Sequence, residues 1–309
     1  MRVALIGYGA VAAVHAACLK GRAEPLTVYG PDRRKAEAFA KLHGIRHADT
    51  NLKAALDRAD IAIICSPSPL HYEQAREALH AGVHLLIELP ACTSNAEAED
   101  HATLAGKRQL VLQCAHTSRY LGPYRRLTGW MQGGALGDIR HIHYVRSIPP
   151  RKRSWTDDAL WHHAGHALDL FLLWFGSLEP LSCAAHPGIP GAQDLSLTAL
   201  TPSKAPVAVS ISYTSQLSET KMTVIGANHT VVTDGFTYVS SDDAQFTWQG
   251  CEQEVYERAI QEQDTEFYEA CHGSQTGVPW NQTIRLTNCV SDFINLWRAI
   301  APIVLPQET

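Results

Sequence analysis

The chain has 309 residues, enough for two domains that each bury a core of their own. Hydrophobic residues make up 45% and charged residues 18%, and the formal net charge of −5 gives no reason to expect nucleic acid or an anionic membrane as a partner. The eight cysteines stand singly, without a Cys-x-x-Cys pair, which argues against a zinc knuckle or a disulfide framework.

The first part of the chain alternates between strands and helices. Residues 2–6 (RVALI) form an apolar run of the kind that is buried on both faces of a parallel sheet. Later strands are predicted in LTVYG, DIAIICSP, VHLLIELP and QLVLQCAH, and helices in residues 11–20, 33–43, 71–82 and 96–107. This alternation predicts an α/β domain with a doubly wound parallel sheet over residues 1–118.

Strands and helices no longer alternate regularly in residues 119–309. A helix ending in a glycine-rich turn (LGPYRRLTGWMQGGALGD) precedes a strand (RHIHYVRSI) and a long apolar helix from Trp155 to Phe175. Strands with period-two alternation dominate from Leu195 to about Trp248, and two helices follow. We expect a C-terminal α+β domain with a largely antiparallel or mixed open sheet, whose last helix can pack back on the first domain. No signal peptide or membrane-spanning run is visible, so a cytoplasmic protein is expected.

A glycine-rich turn follows the first strand. Gly7, Gly9, Ala10 and Val11 belong to a Gly-x-Gly-x-x-Ala motif at the start of a helix. The first glycine permits a tight turn, the second lets the backbone approach a pyrophosphate, and the helix N-terminus offers amide N–H groups to the phosphates. The motif predicts a Rossmann dinucleotide site; the alternative is a purely structural turn.

The end of the second strand indicates which dinucleotide is bound. NAD-preferring sites place an acid there for the ribose 2′-hydroxyl, whereas this chain has Tyr29 and Gly30, followed by Arg33 and Arg34. Guanidinium groups suit a 2′-phosphate by charge and by bidentate geometry. We predict NADP as the cofactor; the alternative is that both arginines belong to a solvated helix start.

The densest cluster of reactive groups lies in the apolar helix. On a regular α-helix His162, His166 and Asp169, at i, i+4 and i+7, share one face, which can supply a general base and a carboxylate that orients it. The alternative is that the histidines are satisfied core residues packed against tryptophans. A zinc site at His-x-x-x-His lacks an evident third ligand, so no metal is expected.

Several motifs together resemble the GFO/IDH/MocA oxidoreductase family over nearly the whole chain: GYGAVA, CSPSPLHYEQA, IELP, AHTSRYLGP and DTEFYEACHG. The resemblance implies that Ser66, His71 and Glu88 lie at the cofactor, and Glu88 also ends a predicted strand, where open α/β sheets bind ligands. Two residues depart from the family pattern. Leu89 stands where typical members have the lysine of Glu-Lys-Pro, and His162 where they have the aspartate of Asp-x-Gly-x-His.

These departures, with RSWTDDALWHHAGHALDLF, resemble one branch of the family. That resemblance implies NADP-dependent oxidation of the cyclic hemiacetal of a polycarboxylate to a lactone, in protocatechuate 4,5-cleavage during aromatic catabolism. The oxidation needs one base for the hydroxyl proton, and imidazole, with a pKa of about 6.5, suits that role. We predict His166 as the first candidate for the base, His162 as the second, and Asp169 as the group that orients His166.

Binding of a small polycarboxylate substrate is expected from basic and aromatic residues that follow the first domain. Arg119, Arg153, Trp155 and His163 are the predicted substrate-binding residues. They belong to a basic stretch that also contains Arg125, Arg126, Arg146, Arg151 and Lys152, for which the alternative is a solvated loop. Two other functions stay open: dehydrogenation of a sugar, inositol or other cyclic alcohol, and a nonenzymatic NADP sensor. A homodimer through the VAVSISY region is expected.

Overall fold

The computed structural model describes residues 1–19, 24–150 and 157–300. Within these ranges the chain divides into two compact units: Met1–Tyr120 with Gln253–Thr287, and Leu121–Glu252 with the residues from Asn288 onward. The predicted domain boundary at residue 118 lies close to this division. Gln253–Thr287, however, groups with the first unit, whereas the sequence placed residues 119–309 in the second domain and allowed only the last helix to pack back on the first.

The first unit contains the predicted parallel sheet. Its described strands are β1 (Arg2–Ile6), β2 (Glu24–Tyr29), β3 (His47–Asp49), β4 (Ile61–Ile64), β5 (His84–Glu88) and β6 (Leu112–Ala115), in the order β3-β2-β1-β4-β5-β6. The helices between them are α1 (Ala10–Cys18), α2 (Arg33–His43), α3 (Leu52–Leu56), α4 (His71–His80) and α5 (Asn95–Arg108). The strand order reverses between β1 and β4, and open α/β sheets bind their ligands beside such a point.

The second unit contains the predicted mixed sheet. Its described strands are β7 (Ile139–Ser147), β8 (Glu179–His186), β9 (Asp194–Leu200), β10 (Pro206–Ser212), β11 (Glu219–Gly226), β12 (Thr230–Thr233), β13 (Tyr238–Ser241) and β14 (Trp248–Gln249), in the order β14-β13-β12-β11-β7-β10-β9-β8. β7 and β10 pair in parallel, and the neighbouring pairs β7–β11 and β9–β10 are antiparallel. The predicted fold class is thereby confirmed.

Four further helices complete the described chain: α6 (Gly122–Gln132), α7 (Gly165–Phe175), α8 (Glu252–Cys271) and α9 (Trp280–Ile300). Phe267 of α8 is 2% exposed and belongs to the same apolar cluster as Leu5, Val28 and Ile63 of the parallel sheet. This packing explains why the segment containing α8 belongs to the first unit. Among the described helices, none has both the length and the apolar character needed to cross a membrane.

Three short or atypical elements were not predicted. β3 has three residues, and α3 has five and is capped by Asn51, whose side chain accepts a hydrogen bond from the Ala54 amide. Both are too short for hydrophobic periodicity to register. β8 (EPLSCAAH) contains proline and small residues rather than the β-branched residues that mark strands, so its pattern resembled a loop.

The long apolar helix predicted from Trp155 to Phe175 differs from the observed structure. Its first residues lie outside the described ranges, residues 157–159 are not helical, and Leu160–Ala164 form a π-helical turn before α7 begins. The Ala164 amide donates to the Ala159 carbonyl oxygen at 2.9 Å, five residues back, in place of the α-helical partner. The prediction of a regular α-helix through residues 160–164 was therefore wrong.

Candidate active site

The turn between β1 and α1 has the geometry that a dinucleotide-binding site requires. Gly7 has a φ of +119°, and a Cβ there would lie 2.8 Å from the carbonyl carbon and oxygen of Cys65, so the turn needs glycine. A Cβ on Gly9 would meet nothing within 4 Å. Gly9 is the N-cap of α1 and makes no side-chain cap, while Ala10 is exposed and Val11 half-buried. Open space and uncapped amide N–H groups therefore fit a pyrophosphate.

The end of β2 has no room for an acidic side chain. A Cβ on Gly30 would collide with the ring of Tyr8. The nearby carboxylate of Asp32 caps α2 by accepting a hydrogen bond from the Lys35 amide at 3.1 Å. The acidic side chain that normally selects NAD is thus missing from the end of β2, and Asp32 does not supply it.

Two exposed arginines open α2 next to that strand end. The Nε atom of Arg33 lies 3.1 Å from Oε1 of Glu37, and Arg34 is exposed. The Arg33 and Glu37 side chains are 66% and 56% exposed, and pairs of this kind are weak because water screens them. Arg33 would therefore lose little free energy if its guanidinium left the Glu37 carboxylate to bind a phosphate.

His71 is held entirely by carbonyl groups of its own unit. It is 2% exposed, and its Nδ1 and Nε2 atoms each lie 2.8 Å from a carbonyl oxygen, that of Pro90 and that of Ser66 respectively. His71 thereby joins the loops that follow β4 and β5. With both ring nitrogens engaged, His71 holds these loops in place, including the half-buried Ser66. Leu89, at the position of the family lysine, is buried.

Glu88, at the carboxyl end of β5, belongs to a buried cluster that the sequence did not predict. His15 of α1 is fully buried, with Nε2 2.9 Å from Oε1 of Glu88 and Nδ1 2.8 Å from Oδ2 of Asp264. Asp264 lies in α8 and is 6% exposed. One imidazole therefore links the strand end that carries Glu88 to a helix far away in sequence.

The charge of His15 is stabilised by its neighbours. Burial opposes the charged form, but the Asp264 carboxylate, 2.8 Å from Nδ1, outweighs it and holds the pKa of His15 well above 6.5. An imidazolium donates from both nitrogens, which matches two facing carboxylates. Burial raises the pKa of the Cys65 thiol, which therefore stays protonated. This network restrains Glu88 and makes no use of a reactive cysteine.

In the second unit, one aspartate fixes the π-helical turn. Oδ1 of Asp158 accepts hydrogen bonds from the amides of Leu160 at 2.9 Å and Trp161 at 3.3 Å. Oδ2 accepts from the amides of Gly191 at 2.7 Å and Ala192 at 3.1 Å. The carboxylate caps the turn and ties it to a neighbouring loop, which sets the direction of the histidines that follow.

His162 is oriented by two neighbouring side chains of this unit. Its Nδ1 atom lies 3.0 Å from the hydroxyl of Tyr213 and 3.4 Å from Oδ2 of Asp157. The His162 side chain is 17% exposed, whereas Asp157 is buried. These contacts orient the ring through Nδ1.

Two further predicted histidines lie beside His162. The ring of His163 is stacked on it at 4.3 Å and meets Tyr213 edge-on at 5.0 Å, and the ring of His166 lies 5.6 Å from it. His163 is 3% exposed and His166 is half-buried. Asp169 is 1% exposed within α7. The π-helical turn thus gathers the three histidines, while the roles of His166 and Asp169 stay predictions.

The remaining predicted substrate residues are Arg119, Arg153 and Trp155. Arg119 is half-buried in a short 3-10 turn of the first unit. Arg153 and Trp155 lie outside the described residues, as do Arg151 and Lys152.

Sequence reasoning missed Asp157 and Tyr213. Asp157 stands in the quoted motif beside the histidines, and a search for acids just before the helix would have found it. Tyr213 follows β10 and is remote in sequence, so no local pattern could reveal it. Within the described ranges, no group of three or more His, Cys, Asp or Glu side chains is arranged to hold a metal ion.

Two family models match the chain. One, "Oxidoreductase family, NAD-binding Rossmann fold", matches residues 1–116, and the other, "Bacterial oxidoreductases, C-terminal", matches residues 146–258. A 4-carboxy-2-hydroxymuconate-6-semialdehyde dehydrogenase of Sphingobium sp. (strain NBRC 103272 / SYK-6) is 32% identical over 228 residues, 69% of this chain and 72% of that protein. The chain belongs to the GFO/IDH/MocA oxidoreductase family.

Other members of the GFO/IDH/MocA family agree with this assignment. A UDP-N-acetylglucosamine 3-dehydrogenase of Acidithiobacillus ferrooxidans is 30% identical over 186 residues, 60% of this chain and 57% of that protein. A solved structure of such an enzyme from that organism has a TM-score of 0.80 at 20% identity, covering 97% of this chain and 98% of the other. Levoglucosan dehydrogenase with NADH and levoglucosan has a TM-score of 0.84 at 15% identity, covering 99% and 100%. The fold similarity spans both units, and the predicted oxidoreductase class is confirmed.

Proposed function

We propose that this protein oxidises the cyclic hemiacetal of 4-carboxy-2-hydroxymuconate-6-semialdehyde to 2-pyrone-4,6-dicarboxylate with NADP, in protocatechuate 4,5-cleavage. The observation that carries the proposal is His162, oriented by Asp157 and Tyr213. An imidazole base takes the place of the family aspartate there, and a buried Leu89 takes the place of the lysine. The dehydrogenase from Sphingobium supports the choice of substrate.

The chemistry requires one proton acceptor in the protein. Oxidation of a hemiacetal to a lactone removes the hydroxyl proton as the C–H bond breaks and the C=O bond forms. His162 accepts that proton at Nε2, while Asp157 and Tyr213 hold its Nδ1 side and stabilise the resulting imidazolium. His166, at a centroid distance of 5.6 Å from His162, remains the other candidate for the base. A bound nicotinamide would supply the hydride acceptor.

The first unit would hold the cofactor. Gly7 and Gly9 leave the backbone open to the pyrophosphate, and the α1 N-terminus offers its amides. Arg33 and Arg34 would bind the 2′-phosphate, which is the reason to propose NADP rather than NAD. Glu88 lies at the carboxyl end of β5 and would face the nicotinamide ribose.

A homodimer is part of the proposal. Along β10 the buried Val207, Val209 and Ile211 alternate with half-buried Ala208 and Ser210, so that one face of the strand carries small side chains. Such a face can pack closely against a copy of itself about a two-fold axis. Light scattering on the purified protein tests this, with a dimer mass as the expected result.

The deciding experiment follows reduced nicotinamide by absorbance, with freshly ring-cleaved protocatechuate as the substrate and NADP or NAD in parallel. We expect reduction with NADP and formation of the pyrone dicarboxylate. Reduction only with NAD would preserve the reaction and contradict the roles of Arg33 and Arg34. Reduction with neither cofactor would reject the proposed substrate, and a panel of sugars, inositols and other cyclic alcohols would then test the other dehydrogenase function. Tight NADP binding without turnover of any of them would indicate a sensor.

A further inference from the structure

The second unit contains a guanidinium group, that of Arg146, for which the described residues supply no counter-ion. Arg146 lies on β7, with Ile211 of β10 and Thr220 of β11 as its register partners. The residue is half-buried, and its Nε atom is sealed from solvent without a hydrogen-bond partner among the residues that the structure describes. The groups that act on its charge are the tyrosines 144, 124 and 213. Within the described ranges it therefore keeps its charge without an acidic partner.

The surroundings of Arg146 are aromatic. Its Cζ atom lies 5.7 Å from the centre of the Phe236 ring. Tyr213, which interacts with Arg146, also lies 3.0 Å from Nδ1 of His162. The guanidinium is thus connected to the proposed base through one shared tyrosine, and a group bound to it would be held in the same part of the unit.

The nearby carboxylate of Asp234 is engaged by its own loop, and the nearby phenol of Tyr124 is neutral. Asp234, two residues before Phe236, uses Oδ1 to accept hydrogen bonds from the amides of Phe236 and Thr237 at 2.9 and 2.8 Å. Burial, the largest cause, raises the pKa of Tyr124 well above 10, although Arg146 acts in the opposite direction. Tyr124 therefore stays a neutral phenol at any ordinary pH.

An unpaired charge in such a place is unfavourable unless a ligand supplies the opposite charge. The substrate of the proposed function carries carboxylates, and a carboxylate matches the fork of a guanidinium. We propose that Arg146 binds a carboxylate of the substrate and thereby makes the second unit selective for anionic over neutral ring substrates. This inference rests on the proposed function and adds a residue that determines its specificity.

Other arginines of the same basic stretch are less suited to this role. Arg125 and Arg126 of α6 are exposed, and Arg126 stacks over the Trp248 ring at 5.6 Å. Water screens a carboxylate bound to an exposed arginine, whereas the half-buried, aromatic surroundings of Arg146 strengthen the same contact. Its location, more than its charge, sets Arg146 apart.

The test is binding of pyridine-2,4-dicarboxylate, a planar mimic of the pyrone product, measured by titration calorimetry on the full chain. We expect the Kd to rise about 10- to 100-fold in Arg146→Met, as for loss of a charge-assisted hydrogen-bonded pair, and less in Arg146→Lys, which keeps the charge without the fork. Arg140→Met is the matched control, because Arg140 lies on the same strand and is exposed; its Kd should equal that of the wild type. Pyridine-2-carboxylate and pyridine-4-carboxylate each keep one of the two carboxylates and so identify which of them Arg146 binds. The compound that lacks the bound carboxylate should have the same Kd for the wild type and for Arg146→Met.

Two results overturn the inference: a folded Arg146→Met that binds the dicarboxylate as tightly as the wild type, or a wild type that does not bind it. If Arg146→Met fails to fold, a folded Arg146→Lys with wild-type affinity overturns it equally. Hydride transfer from the semialdehyde, measured on the same wild-type sample, separates the two proposals. Dicarboxylate binding through Arg146 without hydride transfer supports this inference and rejects the proposed function. Hydride transfer together with unchanged dicarboxylate binding in Arg146→Met supports the proposed function and rejects this inference.

Discussion

Two histidines, one in each unit, have acidic neighbours and yet differ in what they can do. His15 is fully buried and has a carboxylate against each ring nitrogen, Glu88 on one side and Asp264 on the other. His162 has an acidic and a phenolic neighbour at Nδ1 and keeps part of its side chain exposed. The first histidine is a fully buried cation held by two carboxylates. The second is oriented by its neighbours and keeps part of its ring accessible.

This difference shows that an acidic partner alone does not mark a catalytic histidine. The number of ring nitrogens in use and the access of the remaining one decide whether a proton can be exchanged with a ligand. Substitutions in the two histidines should therefore separate turnover from stability.

Replacing His162 with asparagine should have the largest effect. We expect kcat to fall about 10²- to 10⁴-fold, because general base catalysis is lost, with NADP affinity and unfolding midpoint almost unchanged. Steady-state kinetics measure kcat, cofactor titration measures the NADP affinity, and urea denaturation measures the unfolding midpoint. His166→Asn is the parallel variant: a larger loss of kcat there than in His162→Asn would reverse the assignment of the base.

His15→Asn should act on stability. Removing the cation leaves the buried carboxylate of Asp264 facing the half-buried carboxylate of Glu88, for which a loss of about 3 kcal/mol in the free energy of unfolding is expected. Urea denaturation measures it, and His80→Asn, at an exposed position in α4, is the control. An unchanged unfolding midpoint in His15→Asn would contradict a structural role for the cluster.

The contribution of His15 to stability should also depend on pH. Its folded-state pKa is raised above 6.5, so its stabilisation is complete below about pH 6.5 and is lost as the pH rises through the folded value. Over that window the wild type should lose up to about 1.4 kcal/mol per pH unit relative to His15→Asn. Parallel stability curves for the two proteins above pH 6.5 would argue against a buried imidazolium.

Tyr213→Phe should have a smaller effect, confined to the second unit. Losing the hydroxyl at 3.0 Å from His162 should lower kcat about 10-fold by loosening the ring, as expected for a group that orients a reactive one. The pH profile of kcat should shift as well, because the phenol contacts the titrating imidazole. A change in KM alone would instead place Tyr213 in substrate binding.

The smallest effect is expected in the first unit. Arg34→Gln should weaken NADP binding about 5-fold and leave NAD binding unchanged, since exposed charge pairs contribute little individually. Arg33→Gln should behave similarly, and the double variant more strongly. An equal loss of affinity for NADP and for NAD would show that the arginines do not contact a 2′-phosphate.

The parallel sheet and the turn at Gly7 were predictable because their signals are local. A strand, a Gly-x-Gly turn and a helix lie next to one another in the chain, and the bounds of α2 match the predicted residues 33–43. The π-helical turn was not predictable, because it depends on Asp158 bonding to a loop around Gly191 that lies far along the chain.

The sequence by itself determined the alternation of elements, the Rossmann motif and the cluster of histidines, since short-range spacing encodes each of them. Tertiary structure decided what the histidines face. Tyr213 reaches His162 from β10, and Asp264 reaches His15 from α8. The charge and orientation of an imidazole depend on groups within a few ångströms in space, and burial adds a desolvation cost that no local pattern records. Tyr213 beside His162, Asp264 beside His15 and the buried Nε atom of Arg146 therefore became visible only in the folded chain.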